Sequence, residues 1–206
     1  FNNFDISRIT SKKYAKSLSK IIEKSESKIM IDSPGEYFDE SEETTHFSII
    51  DSRGNAVSNT YTLNTAYGSG IIAKGTGILM NNEMDDFSIK PGFPNFFGLI
   101  GSEANKVESK KAPLSSMTPT IVFKDEKPFL VTGSPGGSTI ISSVLQLLLN
   151  ILIFDMEIDE ASKAKRIHHQ WKPDILFVEN EKDLKSIDKL GFDTIYRDRI
   201  GETHTI

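Results

Sequence analysis

The run from residue 118 to residue 153 constrains the fold more than any other part of the chain. Two short apolar segments, 118–123 and 128–132, flank Lys124-Asp125-Glu126-Lys127. Strand-like residues on either side of a short polar turn predict a β-hairpin. Gly133-Ser134-Pro135-Gly136-Gly137-Ser138 then leads into an apolar helical stretch at 139–153. A second pair of segments, 45–50 and 56–63, flanks Asp51-Ser52-Arg53-Gly54-Asn55 and predicts another hairpin. Two hairpins with helices to pack on them predict an α/β protein, layered in the α+β manner. Apolar residues Ile9, Tyr14, Leu18, Ile21 and Ile22 recur at helical spacing, which predicts an amphipathic helix over 8–25. Short strands are expected at 77–81, 174–178 and 194–196, and helices at 157–165 and 181–190. Residues 33–43 are acidic and rich in turn formers. They read as an exposed loop in which cleavage is tolerated, or equally as a plain linker.

Bulk properties narrow the function. The 206 residues suffice for one sizeable domain. A net charge of −5, with both signs interspersed, argues against nucleic-acid binding, because no basic, aromatic-interleaved stripe is present. The absence of cysteine excludes disulfides, thiol catalysis and thiolate metal ligands. The longest apolar run, 140–154, is too short to span a bilayer and is broken by Ser142, Ser143, Gln146 and Asn150. It reads as a buried helix.

The residues that could carry chemistry begin with Glu43-Thr44-Thr45-His46, at the junction of the acidic loop and the first strand. A threonine hydroxyl is a weak nucleophile without a base beside it. Its own α-amine, titrating near ~7.7–8.0, could serve once the chain is cut before it. Thr44 is therefore a candidate nucleophile, or an ordinary strand-opening threonine. Alternation places Thr60, Thr62 and Asn64 on one strand face, near a nucleophile or simply exposed. Asn81-Asn82-Glu83-Met84-Asp85-Asp86-Phe87 gathers three carboxylates and two amides. The spacing does not fit a calcium loop, so the cluster suits an ammonium ion or is a solvated acidic turn. Ser115 and Ser116, after Pro113, could donate hydrogen bonds to a carboxylate or cap a loop. Gly136 and Gly137 could aim backbone N–H groups at an oxyanion, or only turn a strand into a helix. His168-His169-Gln170-Trp171 lacks metal-ligand spacing and reads as structural, with Trp171 anchoring a turn before Pro173.

Taken in order from about residue 40 to 180, these segments resemble the γ-glutamyltransferases, of the N-terminal-nucleophile hydrolase superfamily. The resemblance implies a four-layer αββα sandwich, of which this chain holds part. It implies a precursor that cuts itself between Glu43 and Thr44. Residues 1–43 would be the tail of a large subunit, and 44–206 a small catalytic subunit truncated at its C-terminus. Thr44 would be nucleophile and, through its freed amine, base, activated by Thr62. Asn64, Glu83 and Asp86 would hold the α-amino group of a γ-glutamyl donor such as glutathione. Ser115 and Ser116 would bind its α-carboxylate, and the Gly136 and Gly137 amides the oxyanion. Water, an amino acid or a dipeptide would accept the γ-glutamyl group.

The resemblance further implies no metal or organic cofactor, the large subunit as partner, and a periplasmic or secreted location. The chain departs from the family's usual pattern at Phe97, where many bacterial members have a tyrosine in a lid, and at Ala112 and Thr139, where arginines are usual. Two alternatives stand beside this reading. One is a relative acting on poly-γ-glutamate or a cephalosporin-type side chain. The other is a catalytically silent homologue acting as an assembly subunit.

Overall fold

The computed structural model describes residues 5–22, 44–182, 187 and 191–206. The acidic segment 33–43 and most of the helix expected at 181–190 lie outside the described residues. At the N-terminal side the single helix expected over 8–25 is two, α1 (Ile6–Ile9) and α2 (Lys12–Ile22). Hydroxyls make the break. Thr10 donates to the Ile6 carbonyl at 2.8 Å, and Ser11 accepts from the Tyr14 amide at 3.1 Å, capping the second helix.

The first hairpin forms as its sequence dictates. Strand β1 (Thr45–Ile50) pairs antiparallel with β2 (Ala56–Tyr61), from Thr45 opposite Tyr61 to Ile50 opposite Ala56. The Asp51 carboxylate ties the turn, accepting from the Arg53 and Asn55 amides at 2.8 and 2.9 Å. The second hairpin joins β3 (Thr120–Lys124) to β4 (Lys127–Gly133). Its two central residues, Asp125 and Glu126, both have positive φ, as a twist-matched two-residue turn requires. The polar turn thus does without glycine.

Strand β4 runs through a 3-10 turn (Gly137–Thr139) into α3 (Ile140–Leu152). A shorter helix, α4 (Ile158–Lys163), follows. Three short strands, β5 (Ile167–His168), β6 (Leu176–Val178) and β7 (Thr194–Tyr196), form a separate sheet in that order. The chain then returns to add β8 (His204–Thr205) to the free edge of β4, pairing Thr132 with Thr205 and Gly133 with His204. Two-residue strands such as β5 and β8 carry no periodic signal, and the sequence does not announce them.

Two expectations need correction. The strand expected at 77–81 is a single bridge, Ile72 to Leu79, because positive-φ Gly75 and Gly77 keep the pair from extending. The helix at 139–153 is buried on one face only. Ile140, Ser143, Val144 and Leu147 are buried, while Ile141, Leu145, Leu149 and Leu152 are exposed.

Packing divides at β4. Gly133 faces the β1–β2 hairpin, since a Cβ there would lie 2.1 Å from the His46 ring. By alternation Leu130 and Thr132 face the opposite side, the side of α3. The hairpin therefore stacks on the β3–β4–β8 sheet, and α3 covers the sheet's other face. The apolar core lies on this helix side, around Ile140, Val144 and Leu147.

Candidate active site

The layer between hairpin and sheet is polar, and its hydrogen bonds fix how the strands overlie. Ser58 donates to the Thr132 carbonyl at 2.8 Å and accepts from the Thr120 amide at 3.0 Å. Ser48 donates to the His204 carbonyl at 2.9 Å. It must therefore accept from His46 Nε2–H, 3.0 Å away, so Nδ1 accepts from the Thr60 hydroxyl at 2.6 Å. His204 Nδ1 in turn donates to the His46 carbonyl at 2.7 Å. Burial, and then the neighbouring His204, lower the His46 pKa and keep this ring neutral. The register follows: Ser58 lies at Thr132 and His46 at Gly133. Thr44, two residues further along the same face, lies toward the glycine turn that leaves β4.

Thr44 is half-buried, and its hydroxyl donates to Thr62 Oγ1 at 3.3 Å. Thr62 also accepts from the Asn64 amide at 2.9 Å. Strand β2 ends at Tyr61, and Asn64 takes φ +79, so it does not continue the strand face as the alternation predicts. Asparagine tolerates this left-handed geometry, which folds its side chain inward instead. There Asn64 is buried, with Nδ2 3.4 Å from the Asn82 carbonyl.

The acidic cluster forms a 3-10 turn, Glu83–Asp86. Burial, and then hydrogen bonding and charge from Asp86, push the Glu83 pKa up to about 7. Asp86 is raised too, first by burial and then by Asp85, while its hydrogen bond from Glu83 works the other way. Asp86 thus disfavours the ionised form of Glu83. Glu83 Oε1 and Asn82 Oδ1 are buried acceptors without a partner among the described residues. Such atoms suit a ligand with several N–H donors.

Asp86, Ser116 and Ser138 line one cavity of about 480 Å³, whose other walls mix apolar residues such as Phe87, Phe97 and Leu114 with polar ones such as Lys90 and Asn105. Ser115 is exposed, its hydroxyl accepting from the Met117 amide at 3.3 Å. Gly136 and Gly137 have φ +124 and +52. A Cβ on Gly136 would meet Thr139 Oγ1 at 2.6 Å, so glycine is required there. Thr139 donates its hydroxyl to the Gly136 carbonyl at 2.6 Å, bracing the turn at a position where the resemblance leads one to expect arginine. Ala112 is exposed, and Phe97 is half-buried with its ring edge-on to Phe96.

Two residues that tie this arrangement together have no role of their own in the sequence reading, Gln170 appearing there only within a segment read as structural. Asn105 donates to the Asp86 carbonyl at 2.7 Å and accepts from the Leu114 amide at 2.9 Å, tying the acidic turn to the Ser115–Ser116 segment. Gln170 links the glycine turn to the loop around Phe97. Neither belongs to a spacing pattern that would single it out. His168 and His169 are structural, as the spacing suggests. His168 is buried against Phe177, and His169 meets Asp174 at 2.9 Å. Trp171 does sit in a turn, with φ +70, but it is 53% exposed with Lys172 over its ring, and the neighbouring Gln170 makes the side-chain bonds to the Phe97 loop and Ser138.

The stacked hairpin and sheet, with a threonine at the lip of the first strand and a glycine turn beneath it, have the layered fold of the N-terminal-nucleophile hydrolases. The family model for gamma-glutamyltranspeptidase matches residues 1–199, and the chain belongs to the γ-glutamyltranspeptidase family. It is 49% identical over 203 residues to the glutathione hydrolase proenzyme of Escherichia coli K12, covering 96% of this chain and 35% of that protein. The corresponding proenzyme of Pseudomonas aeruginosa is 56% identical over 134 residues, which is 65% of this chain and 24% of the relative. The chain thus spans about a third or less of the length of these relatives. A mutant Helicobacter pylori γ-glutamyltranspeptidase superposes with a TM-score of 0.75 at 49% identity, covering 79% of this chain and 89% of that one. Cephalosporin acylase from Bacillus halodurans superposes with a TM-score of 0.69 at 19% identity, over 98% of this chain and 35% of the acylase, a likeness of fold alone.

Proposed function

We propose that this chain carries the nucleophile and donor site of a γ-glutamyl acyl-transfer enzyme, made by cleavage between Glu43 and Thr44. The observation that carries the reading is the Thr44–Thr62 hydroxyl contact of 3.3 Å at the start of β1, over the end of β4 that opens into Gly136–Gly137. Family membership and the E. coli proenzyme likeness support it.

In the reaction, the freed α-amine of Thr44 takes the hydroxyl proton as Oγ1 attacks the donor's γ-carbonyl carbon. Thr62 holds that hydroxyl in place. The tetrahedral oxyanion faces the Gly136 and Gly137 amides, at a turn where both residues have positive φ. The amide C–N bond breaks, and the proton passes to the leaving amine, cysteinylglycine when glutathione is the donor. A γ-glutamyl ester remains on Thr44. Water or the amine of an amino acid or dipeptide then attacks it and regenerates the hydroxyl. The donor's ammonium fits Asn64, Glu83 and Asp86, where buried acceptors are in excess. Its carboxylate fits Ser116 and Ser115, which Asn105 holds beside Asp86.

Residues 1–43 belong, in this reading, to the large subunit and 44–206 to the small one. The partner is the rest of the same precursor. Exposed apolar side chains on both outer layers support that, Phe47, Ile49, Val57 and Tyr61 on the hairpin and Ile141 and Leu145 on α3. A periplasmic or secreted location goes with the family. Fold likeness alone links the chain to cephalosporin acylase. The acidic pair, suited to an α-ammonium, favours the γ-glutamyl reading over that one.

The test is expression of the full-length gene product, measurement of subunit masses, and assay of γ-glutamyl-p-nitroanilide with and without glycylglycine. A small subunit starting at Thr44 and acceptor-stimulated release are expected, with Thr44→Ala losing both. Cleavage that persists in Thr44→Ala, or a cut wild type without release, would overturn the reading.

A further inference from the structure

The loop over 94–100 walls the cavity through Pro94, Asn95, Phe97, Leu99 and Ile100. It closes on itself through the Pro94–Ile100 bridge and through Asn95, whose Oδ1 accepts from the Phe97 and Leu99 amides, each at 3.0 Å. These bonds shape the loop but do not say where it sits over the site. Gln170, in the segment after β5, reaches it from outside the cavity. Its amide Nε2 donates to the Phe97 carbonyl at 3.1 Å and to the Lys172 carbonyl at 3.1 Å. Its Oε1 accepts from the Ser138 hydroxyl at 2.5 Å and lies 3.0 Å from His168 Nε2. Carbonyl oxygens only accept, so the amide can point only this way. His168 then donates through Nε2, while its Nδ1 lies 2.8 Å from the Ser142 hydroxyl, which also donates to the Thr139 carbonyl at 3.0 Å. Burial lowers the His168 pKa.

We infer that Gln170 is a positioning residue for the proposed acyl transfer, clasping the 94–100 loop to the turn that carries Gly136 and Gly137. Ser138 directly follows Gly137, and Phe97 and Ser138 line the same cavity. One side chain thus joins a wall of the cavity to the residue that follows the turn proposed to stabilise charge. Phenylalanine at position 97 has no hydroxyl for a polar contact of its own, so the main-chain carbonyl is the handle by which this loop is held. The clasp sets how far water reaches the γ-glutamyl ester relative to a bound acceptor, and how fully the loop closes on the donor. It rests on the proposed acyl-transfer reading for its chemistry, though not for its structural half.

Two substitutions separate the branches. Gln170→Glu keeps both acceptor contacts and loses the donors to Phe97 and Lys172. Ser138→Ala keeps those donors and loses the bond to the turn. Both are made in the full-length protein and followed by hydrogen exchange of 94–100, by donor KM and kcat, and by the ratio of hydrolysis to transfer with glycylglycine. In Gln170→Glu, loop exchange and donor KM should rise about fivefold, the size of one net hydrogen bond. The hydrolysed fraction should rise with them while kcat stays within about twofold, a split that general destabilisation does not produce. If Gln170→Glu does not fold, Ser138→Ala should show the same pattern at smaller size. Wild-type loop exchange, or a loosened loop with unchanged KM and hydrolysed fraction, overturns the inference. An inactive wild type refutes the acyl-transfer reading instead, and loop exchange still reports whether the clasp exists.

Discussion

The two faces of β4 are held by opposite kinds of force. On the α3 side, Ile140, Val144 and Leu147 are buried and contribute through area removed from water, about 1.5–3 kcal/mol for each large side chain. That force is strong and non-directional, and tolerates small shifts. On the hairpin side, His46, Ser48, Ser58, Thr60 and His204 interlock through bonds of 2.6–3.0 Å. Each such bond adds only about 0.5–1.5 kcal/mol net, but leaving one partner unpaired costs more. The helix side makes the domain stable; the hairpin side decides which residue of β1 lies over which residue of β4. A nucleophile set against an oxyanion turn needs the second more than the first, because misplacement by about 1 Å can cost 100-fold in rate.

The contrast can be broken from either side. Leu147→Ala, at a site 1% exposed, should lower stability by about 2–5 kcal/mol while the folded fraction keeps its specific activity; denaturant unfolding and active-site titration read the two separately. Gly133→Ala should cost less in stability, about 1–3 kcal/mol, but act mainly on chemistry. Its Cβ would strike the His46 ring, which Thr60 and Ser48 hold from both ends, so the hairpin must lift off β4. Self-cleavage measured by gel should slow at least tenfold. Ser58→Ala strands the Thr132 carbonyl and the Thr120 amide and should cost about 1–2 kcal/mol in a thermal melt.

The smallest expected effect is on pH dependence. Glu83 is protonated below about 7 and charged above it. A cationic α-amine binds best when both carboxyls are ionised, so donor KM should rise as pH falls through 7. Glu83→Gln cannot ionise, and its donor KM should be flatter across about pH 6–8. A slope equal to wild type would show that another group controls the acid limb.

What could be read in the sequence followed local rules. The two hairpins and the strand-to-helix turn depend on alternation or glycine placement over a few residues, whereas the Thr44–Thr62 pairing comes from the family resemblance. Asn64 is where alternation and the structure part. Alternation placed it on a strand face, whereas asparagine's tolerance of positive φ brings it inward. The ties made by Asn105 and Gln170 have no sequence signal because an amide side chain carries no periodicity, and their partners lie 19 and 73 residues away. Apolar spacing runs through the break between α1 and α2, which the hydroxyls of Thr10 and Ser11 make. The segment holding Glu43 lies outside the described residues, so the site of the cut rests on sequence and family.

The small strand β8 has a consequence for how the protein is made. His204 supplies both the carbonyl that seats Ser48 and the ring that seats the His46 backbone, across 156 and 158 residues of chain. At about 5–20 residues per second, a ribosome adds that length in roughly 10–30 s. During that interval Thr44 is already synthesised, yet neither bond can form. A nascent chain arrested short of residue 204 lacks the clamp that holds β1 in register, so the proposed cut before Thr44 should wait on translation of the distal edge strand.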